Sequence, residues 1–283
     1  MAALLALVSA VCYGVSDFSG GLAARRAPAI AIVLVSNGLS LLLAVLAVAL
    51  LPGSTYRASD IAWGLAAGSV GLVGVVLLYR GLAIGPMSVV APLTAVLSAI
   101  VPVVVGTARG ERPGLLALGG VVLAVPALAL IGREPPRVDS RGLSRTALLS
   151  ALAAGISFGG FYVLLAQTSP DGGAWPLLGQ RAASVAILLA VSIGALVSHR
   201  PALPRGGGLL LSAAAGVTDF LANLAYVLAT HRGLLALVAV LSSLYPATTL
   251  LLARSFLGER IGRQQLAGLL TAAAAITLIA LPR

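Results

Sequence analysis

The chain has 283 residues, 59% of them apolar and 9% charged, with a mean hydropathy of +1.07 and a formal net charge of +10. An ordinary soluble domain carries about 25% charged residues, so this composition excludes both a water-soluble globular fold and a disordered chain. The apolar residues fall in ten runs of the length a helix needs to cross a hydrocarbon core about 30 Å thick. The fold class expected is an all-α integral membrane protein of ten transmembrane helices.

In chain order the runs cover about 2–23, 28–51, 59–84, 86–107, 113–132, 144–167, 174–198, 206–230, 233–256 and 261–281. The first lacks a basic leader and carries Asp17, so it reads as a retained span rather than a cleaved signal. Prolines open several runs, at Pro28, Pro86, Pro113 and Pro176, where a missing N–H costs nothing. Short loops predict that consecutive helices are antiparallel neighbours. All 18 Lys/Arg positions are arginine and nearly all lie between runs. They read as topogenic charge rather than a nucleic-acid surface. Cys12 is the single cysteine, which excludes an internal disulfide or a cysteine-based metal site. No cofactor is implied.

The polar stretch over residues 133–143 divides the chain into a first unit (1–132) and a second (144–283), and motifs recur in the same order in both. Tyr13-Gly14 matches Phe158-Gly159, and Ala66-Ala67-Gly68 matches Ala214-Ala215-Gly216. Leu97-Ser98 through Pro102 matches Leu241-Ser242 through Pro246, and Gly110-Glu111-Arg112 recurs as Gly258-Glu259-Arg260. Five spans is an odd number, so the second unit enters from the opposite side. Inverted five-helix repeats of this kind place a transport site at their interface.

The ten-run duplication, the Leu-Ser-x-x-x-Pro segments and the twice-repeated Gly-Glu-Arg resemble the drug/metabolite transporter superfamily, EamA type, over essentially the whole chain. The resemblance implies a ten-helix permease built around a central cavity. It also implies a small-molecule substrate such as an amino acid, nucleoside, sugar or drug, moved across the cytoplasmic membrane, with efflux the expected direction. A monomer in the lipid bilayer is compatible with this reading, and the oligomeric state is left open. The loops after the odd-numbered runs hold most arginines, which would make that face cytoplasmic and put both termini outside. The resemblance implies both termini inside. The two warrants agree only that the termini share one side.

Ionisable groups inside spans are costly and face a cavity or a partner. Asp17, Arg181 and Asp219 are the clear cases. Tyr13 and Asp17 share a face of the first helix, and Asn37 marks the second. Gln180 adjoins Arg181, and Asp219, Asn223 and Tyr226 form a stripe at i, i+4 and i+7. With Tyr162, Ser242 and Tyr245 these residues are the candidate cavity lining. The competing reading is interhelical glue, including an Arg181–Asp219 pair. Asp17 is the candidate for proton coupling. Arg181 is expected to face an anionic group of a small polar or zwitterionic solute. Pro102 and Pro246 are repeat-related candidate hinges, with simple packing defects as the alternative. Gly64, Gly68, Gly71 and Gly74 make a narrow ridge for close helix approach. Tyr56, Trp63 and Trp175 read as interfacial anchors, His199 and His231 as solvated, and the two Gly-Glu-Arg segments as loop-capping ion pairs. The contexts of Asp17 and Asp219 do not fit an intramembrane aspartyl protease, and no hydrolase, zinc-protease or phosphate-loop motif occurs. A non-transporting membrane subunit or a lipid-linked-sugar flippase component is the alternative function.

Overall fold

The structure is a computed structural model that describes residues 1–24, 26–50, 54–84, 87–131, 144–196, 204–258 and 261–280. The described residues form α-helices, one short 3-10 turn at Pro170–Gly172 and connecting loops. The helices are α1 (Ala2–Ala24), α2 (Ala29–Leu50), α3 (Ala58–Ile84), α4 (Met87–Ala108), α5 (Leu115–Ile131) and α6 (Arg145–Leu165). They continue as α7 (Trp175–Leu196), α8 (Gly207–Thr230), α9 (Leu235–Ser242), α10 (Tyr245–Leu257) and α11 (Arg263–Ala280). Seven helical segments, α9 and α10 counted together as one, are long and apolar enough to cross a membrane, and three shorter apolar segments accompany them. Large apolar side chains such as Leu4, Val73, Leu116, Leu210 and Leu270 point outward. That pattern suits lipid rather than water as the surrounding medium.

One predicted span is broken. The ninth run was expected as a single helix over about 233–256, but the chain forms α9 and α10 with a discontinuity at Ser243 and Leu244. Pro246 has no N–H to give the Ser242 carbonyl, and its ring crowds that same carbonyl. The backbone tightens instead, with Leu244 N–H donating to Leu241 (3.2 Å) and Ala247 N–H to Leu244 (3.0 Å). Pro102, its counterpart in the motif comparison, lies within an uninterrupted α4.

The helix neighbours also differ from expectation. Consecutive helices share little surface; the extensive contacts are α1 with α8, α3 with α6, α5 with α11, α3 with α7 and α4 with α6. Short loops fix only where a helix starts, whereas side-chain size decides which faces meet. The α3 ridge shows how. A methyl group at Gly64 would collide with the Pro176 carbonyl, and one at Gly68 with the Gln180 carbonyl, so α3 and α7 meet backbone to backbone. Farther along, Gly71 and Gly74 receive the rings of Phe161 and Phe158 from α6. On α8, Gly216 similarly meets the Ser36 backbone of α2. Small residues at such crossings let dispersion and backbone contacts replace the hydrophobic effect, which is absent between helices in lipid.

Candidate functional site

The polar residues of the helix interiors converge where α1, α2, α7 and α8 meet. Arg181 sits two turns into α7 with its side chain buried, and its guanidinium forms an ion pair with Asp219 of α8. The same guanidinium donates to the Asn37 side chain of α2 at 2.9 Å. Asn37 in turn donates back to the Val33 carbonyl of its own helix at 2.9 Å. One helical turn along α8, the Asn223 side-chain oxygen accepts from the Tyr13 hydroxyl of α1 (2.9 Å) and from the Gln180 amide (3.1 Å). The Asn223 amide donates to the Asp219 carbonyl at 2.7 Å. Asn223 is fully buried and joins three helices through one side chain.

Serine hydroxyls extend this lattice into the backbone. Ser16 donates to the Ala215 carbonyl at 3.0 Å and Ser40 to the Gly216 carbonyl at 2.6 Å, both across to α8. A second layer consists of tyrosines. Tyr13 lies edge-on to Tyr162 at 6.3 Å and tilted to Tyr245 at 6.2 Å, while Tyr162 and Tyr226 approach to 4.7 Å. The Tyr226 hydroxyl donates to the Tyr162 carbonyl at 3.0 Å. The two candidate readings for the Asp219 stripe therefore meet in one place: Asp219 is paired with Arg181, and the stripe also borders the tyrosine layer.

Asp17 is different. It lies one turn beyond Tyr13 on the same face of α1, is exposed, and makes no hydrogen bond or ion pair with any described residue. It is within electrostatic reach of Asp219, Tyr13, Tyr162 and Tyr245. On the helix it falls between Ser16, which bonds the Ala215 carbonyl of α8, and Gly14, which packs on Tyr245 and Thr248 of α10, so it lies on the side of α1 that faces those two helices. Two polar atoms of the lattice also lack partners among the described residues, Gln180 Oε1 and Arg181 Nε.

The remaining expected site residues fall elsewhere or in other roles. Ser242 is buried between α9 and α1, its hydroxyl 3.4 Å from the Ala6 carbonyl, and it does not join the polar lattice. Pro246 opens α10 beside the break, and Pro102 is buried inside α4. An apolar groove of about 480 Å³ lined by Ile30, Val33, Leu72, Val76, Ile187 and Val191 opens between α2, α3 and α7. It carries none of the charged residues.

A polar latch at one end of the bundle was anticipated only in the loop-capping reading of Gly110-Glu111-Arg112. Glu111 accepts hydrogen bonds from the first two backbone amides of α9, Leu235 (2.6 Å) and Ala236 (2.9 Å), where a carboxylate also suits the helix dipole. Buried Asp60 accepts from the backbone (2.8 Å) and the hydroxyl of Ser169. His231 was expected in solvent, but it is half-buried and its Nε2 lies 2.9 Å from the Thr168 carbonyl. That nitrogen donates the hydrogen bond, and burial lowers the ring's pKa below the usual histidine value despite the favourable Thr168 contact. Arg57 pairs with Asp171 at 3.5 Å and Tyr56 packs edge-on against Trp175 at 5.0 Å. Loop polarity alone does not distinguish a solvated group from one locked onto another loop. His199, Glu259 and Arg260 lie outside the described residues.

Comparison with known proteins places the whole architecture. A crystal structure of another protein superposes with a TM-score of 0.76, covering 99% of this chain and 96% of that chain at 16% identity, which shows a shared fold. No curated protein matches the sequence. The EamA-like transporter family matches residues 1–133 and 145–281. A multi-pass helical membrane protein with this match over nearly its full length belongs to the EamA-like transporter family, whose members are transporters of the drug/metabolite type rather than enzymes.

Proposed function

We propose that the protein is a secondary transporter, an exporter of a small polar metabolite, working by alternating access across the cytoplasmic membrane. Its ten spans form two inverted five-helix repeats, 1–132 and 144–283, joined by 133–143, with both termini on one side and a cavity between the repeats. The helix neighbours support the duplication. If α1–α5 correspond to α6, α7, α8, α9/α10 and α11, the α1–α8 contact exchanges with α3–α6, and α2–α8 with α3–α7. Likewise α4–α6 exchanges with α1–α9/α10, while α5–α11 and α2–α7 map onto themselves.

The observation that carries the transport reading is the contrast between a closed polar lattice and an unpartnered carboxylate beside it. Arg181, Asp219, Asn37, Asn223, Gln180 and Tyr13 fix the frame, and exposed Asp17 with half-buried Tyr245 borders a crevice between α1, α8 and α10 that is backed by buried Tyr162 and Tyr226. A carboxylate within a span that serves only packing would be expected to have a partner. Asp17, able to exchange a proton with water in the crevice, is the group assigned to proton coupling. The latch of Glu111, Asp60 and His231 holds one end together, and the break before Pro246 supplies the hinge through which α10 swings. Pro102 does the same for α4 when the opposite end opens.

The test is flux. Purified protein in proteoliposomes, loaded with a panel of amino acids, nucleosides, sugars and amines, should drive counterflow of at least one radiolabelled solute, and an imposed pH gradient should change its rate. No flux of any solute, with polar lattice residues tolerating apolar replacement, would point instead to a non-transporting subunit on the same fold.

A further inference from the structure

The charges inside the bundle do not cancel. Arg181 is matched by Asp219, so Asp17, when ionised, leaves the polar cluster with one uncompensated negative charge. The other charged residues in the described helices stand at or near helix ends, among them Asp60, Arg80, Arg145, Arg254 and Arg263. None of them is paired with Asp17. In a chain of net charge +10, the one excess charge at the crevice is therefore negative.

The cation expected to greet an anionic substrate is already committed. Arg181 is buried against Asp219 and Asn37, with its terminal nitrogens engaged. What the crevice offers a solute is an exposed carboxylate and the tyrosine rings. Tyr162 and Tyr245 each lie one ring contact from Tyr13, at centroid spacings of 6.3 and 6.2 Å. An aromatic face attracts a cation within about 6 Å of its centroid, more strongly where water is excluded. Buried Gln180 adds an unpartnered acceptor oxygen in the lattice next to Tyr13 and Asn223.

We propose that the crevice binds a small organic cation, its positive head held between the Asp17 carboxylate and the half-buried rings of Tyr13 and Tyr245, with buried Tyr162 packed behind Tyr13. The assignment rests on the transporter reading for its purpose but not for its chemistry. It replaces the expectation of a solute held by its anionic group on Arg181. The lattice supplies position and the aromatic rings supply size limits. Charge selection falls to a single residue, because Asp17 is the carboxylate of the cluster without a partner among the described residues.

Binding of choline and of 3,3-dimethyl-1-butanol, its uncharged analogue of the same shape, separates charge from fit. Calorimetry on the purified full chain should show choline bound, the neutral analogue at least about tenfold weaker, and 3,3-dimethylbutanoate not bound, because charge-assisted contacts carry the affinity. Tetramethylammonium and benzyltrimethylammonium bracket the head-group size. Asp17→Asn should weaken the best cation by about 10–100-fold, the range for losing an interaction with a charged group. Asp17→Glu should retain most of it, and melting temperatures report that both variants are folded. Equal binding of the neutral analogue, preference for the anion, or no binding of any of the three cations at millimolar concentration overturns the proposal. Transport of a neutral or anionic solute unaffected by choline would overturn it while leaving the transporter reading intact. Asp17-dependent choline binding without flux of any solute would do the reverse.

Discussion

Two flanks of the same polar cluster are built on different principles. On the α2–α7–α8 side every charged group has a partner: Arg181 holds Asp219 and Asn37, and Asn223 gathers Tyr13 and Gln180. On the α1–α10 side Asp17 is unpartnered, and α10 has no buried residue along Tyr245–Leu257. The contrast continues within one apolar run, since α9, only a two-residue break away, buries seven of its eight residues. Burial and hydrogen bonding rise together on one flank and fall together on the other. A frame that must hold its shape and a wall that must move have opposite requirements, and low packing density marks the elements that move.

The largest expected effect lies in the frame. Asp219→Asn should strand the Arg181 guanidinium, whose side chain is only 7% exposed, and destabilise the protein by about 3–5 kcal/mol. Arg181→Gln should cost less, about 1–3 kcal/mol, because Asp219 is 26% exposed and can recover some hydration. The double variant should regain most of the loss. Thermal melts in detergent report all three, and additive losses in the double variant would show that the pair is not the unit holding this flank.

Next in size is the cap on α9. Glu111→Ala removes acceptors from two backbone amides and should lower stability by about 2 kcal/mol. Hydrogen exchange should then accelerate over Leu235–Ser242 before it changes in α8. Unchanged protection there would mean that packing alone fixes α9, and the distinction from α10 would lose its chemical cause.

On the α1–α10 flank the expected stability effects are small and the functional effects are not. Asp17→Asn removes no hydrogen bond and should shift stability by no more than about 0.5 kcal/mol. Transport should nevertheless fall about tenfold or more, because the charge that meets the solute is gone. A comparable fall in melting temperature would identify Asp17 as part of the frame and blur the comparison.

The smallest effect concerns the latch. The His231 pKa is lowered by burial, so the fold favours the neutral ring, and the unfolded chain binds the proton more readily. Its contribution is complete above the ordinary histidine pKa of about 6.5 and is lost as pH falls through the lowered folded value. Acidification from neutral pH should reduce the melting temperature by about 1–3 °C more in wild type than in His231→Gln. An equal reduction in both would take His231 out of the latch.

How much of this was legible in the sequence depends on the range of the interaction. Ionisable residues inside apolar runs announce themselves, so Asp17, Arg181 and Asp219 were readable, as was the Asp219, Asn223 and Tyr226 stripe from its spacing. An Arg181–Asp219 pair was one of two readings, but the contacts that bring α1 and α2 to it were not readable. Tyr13 and Asn223 are 210 positions apart, and only the packing of α1 on α8 joins them. Loop lengths misdirected the neighbour assignment because they carry no information about which helix faces are narrow. A proline inside a run likewise has two outcomes: Pro246 broke its helix, while Pro102 and Pro126 did not. The latch was only partly legible: Glu111 reads as a loop cap without its partner α9 being identifiable, and Asp60 and His231 are residue types that ordinarily face water.

The central claim is that water and solute reach Asp17 through the crevice, while the lattice beside it stays closed. Cys12 is the single cysteine, so Asp17→Cys and Asn223→Cys in a Cys12→Ser background each carry one reporter thiol. With both variants folded, a membrane-impermeant maleimide applied to sealed vesicles from either side should label Asp17→Cys from one side only. A transported solute should slow that labelling, and Asn223→Cys should stay unmodified. Labelling of neither thiol from either side, or equal labelling of both, would contradict the account.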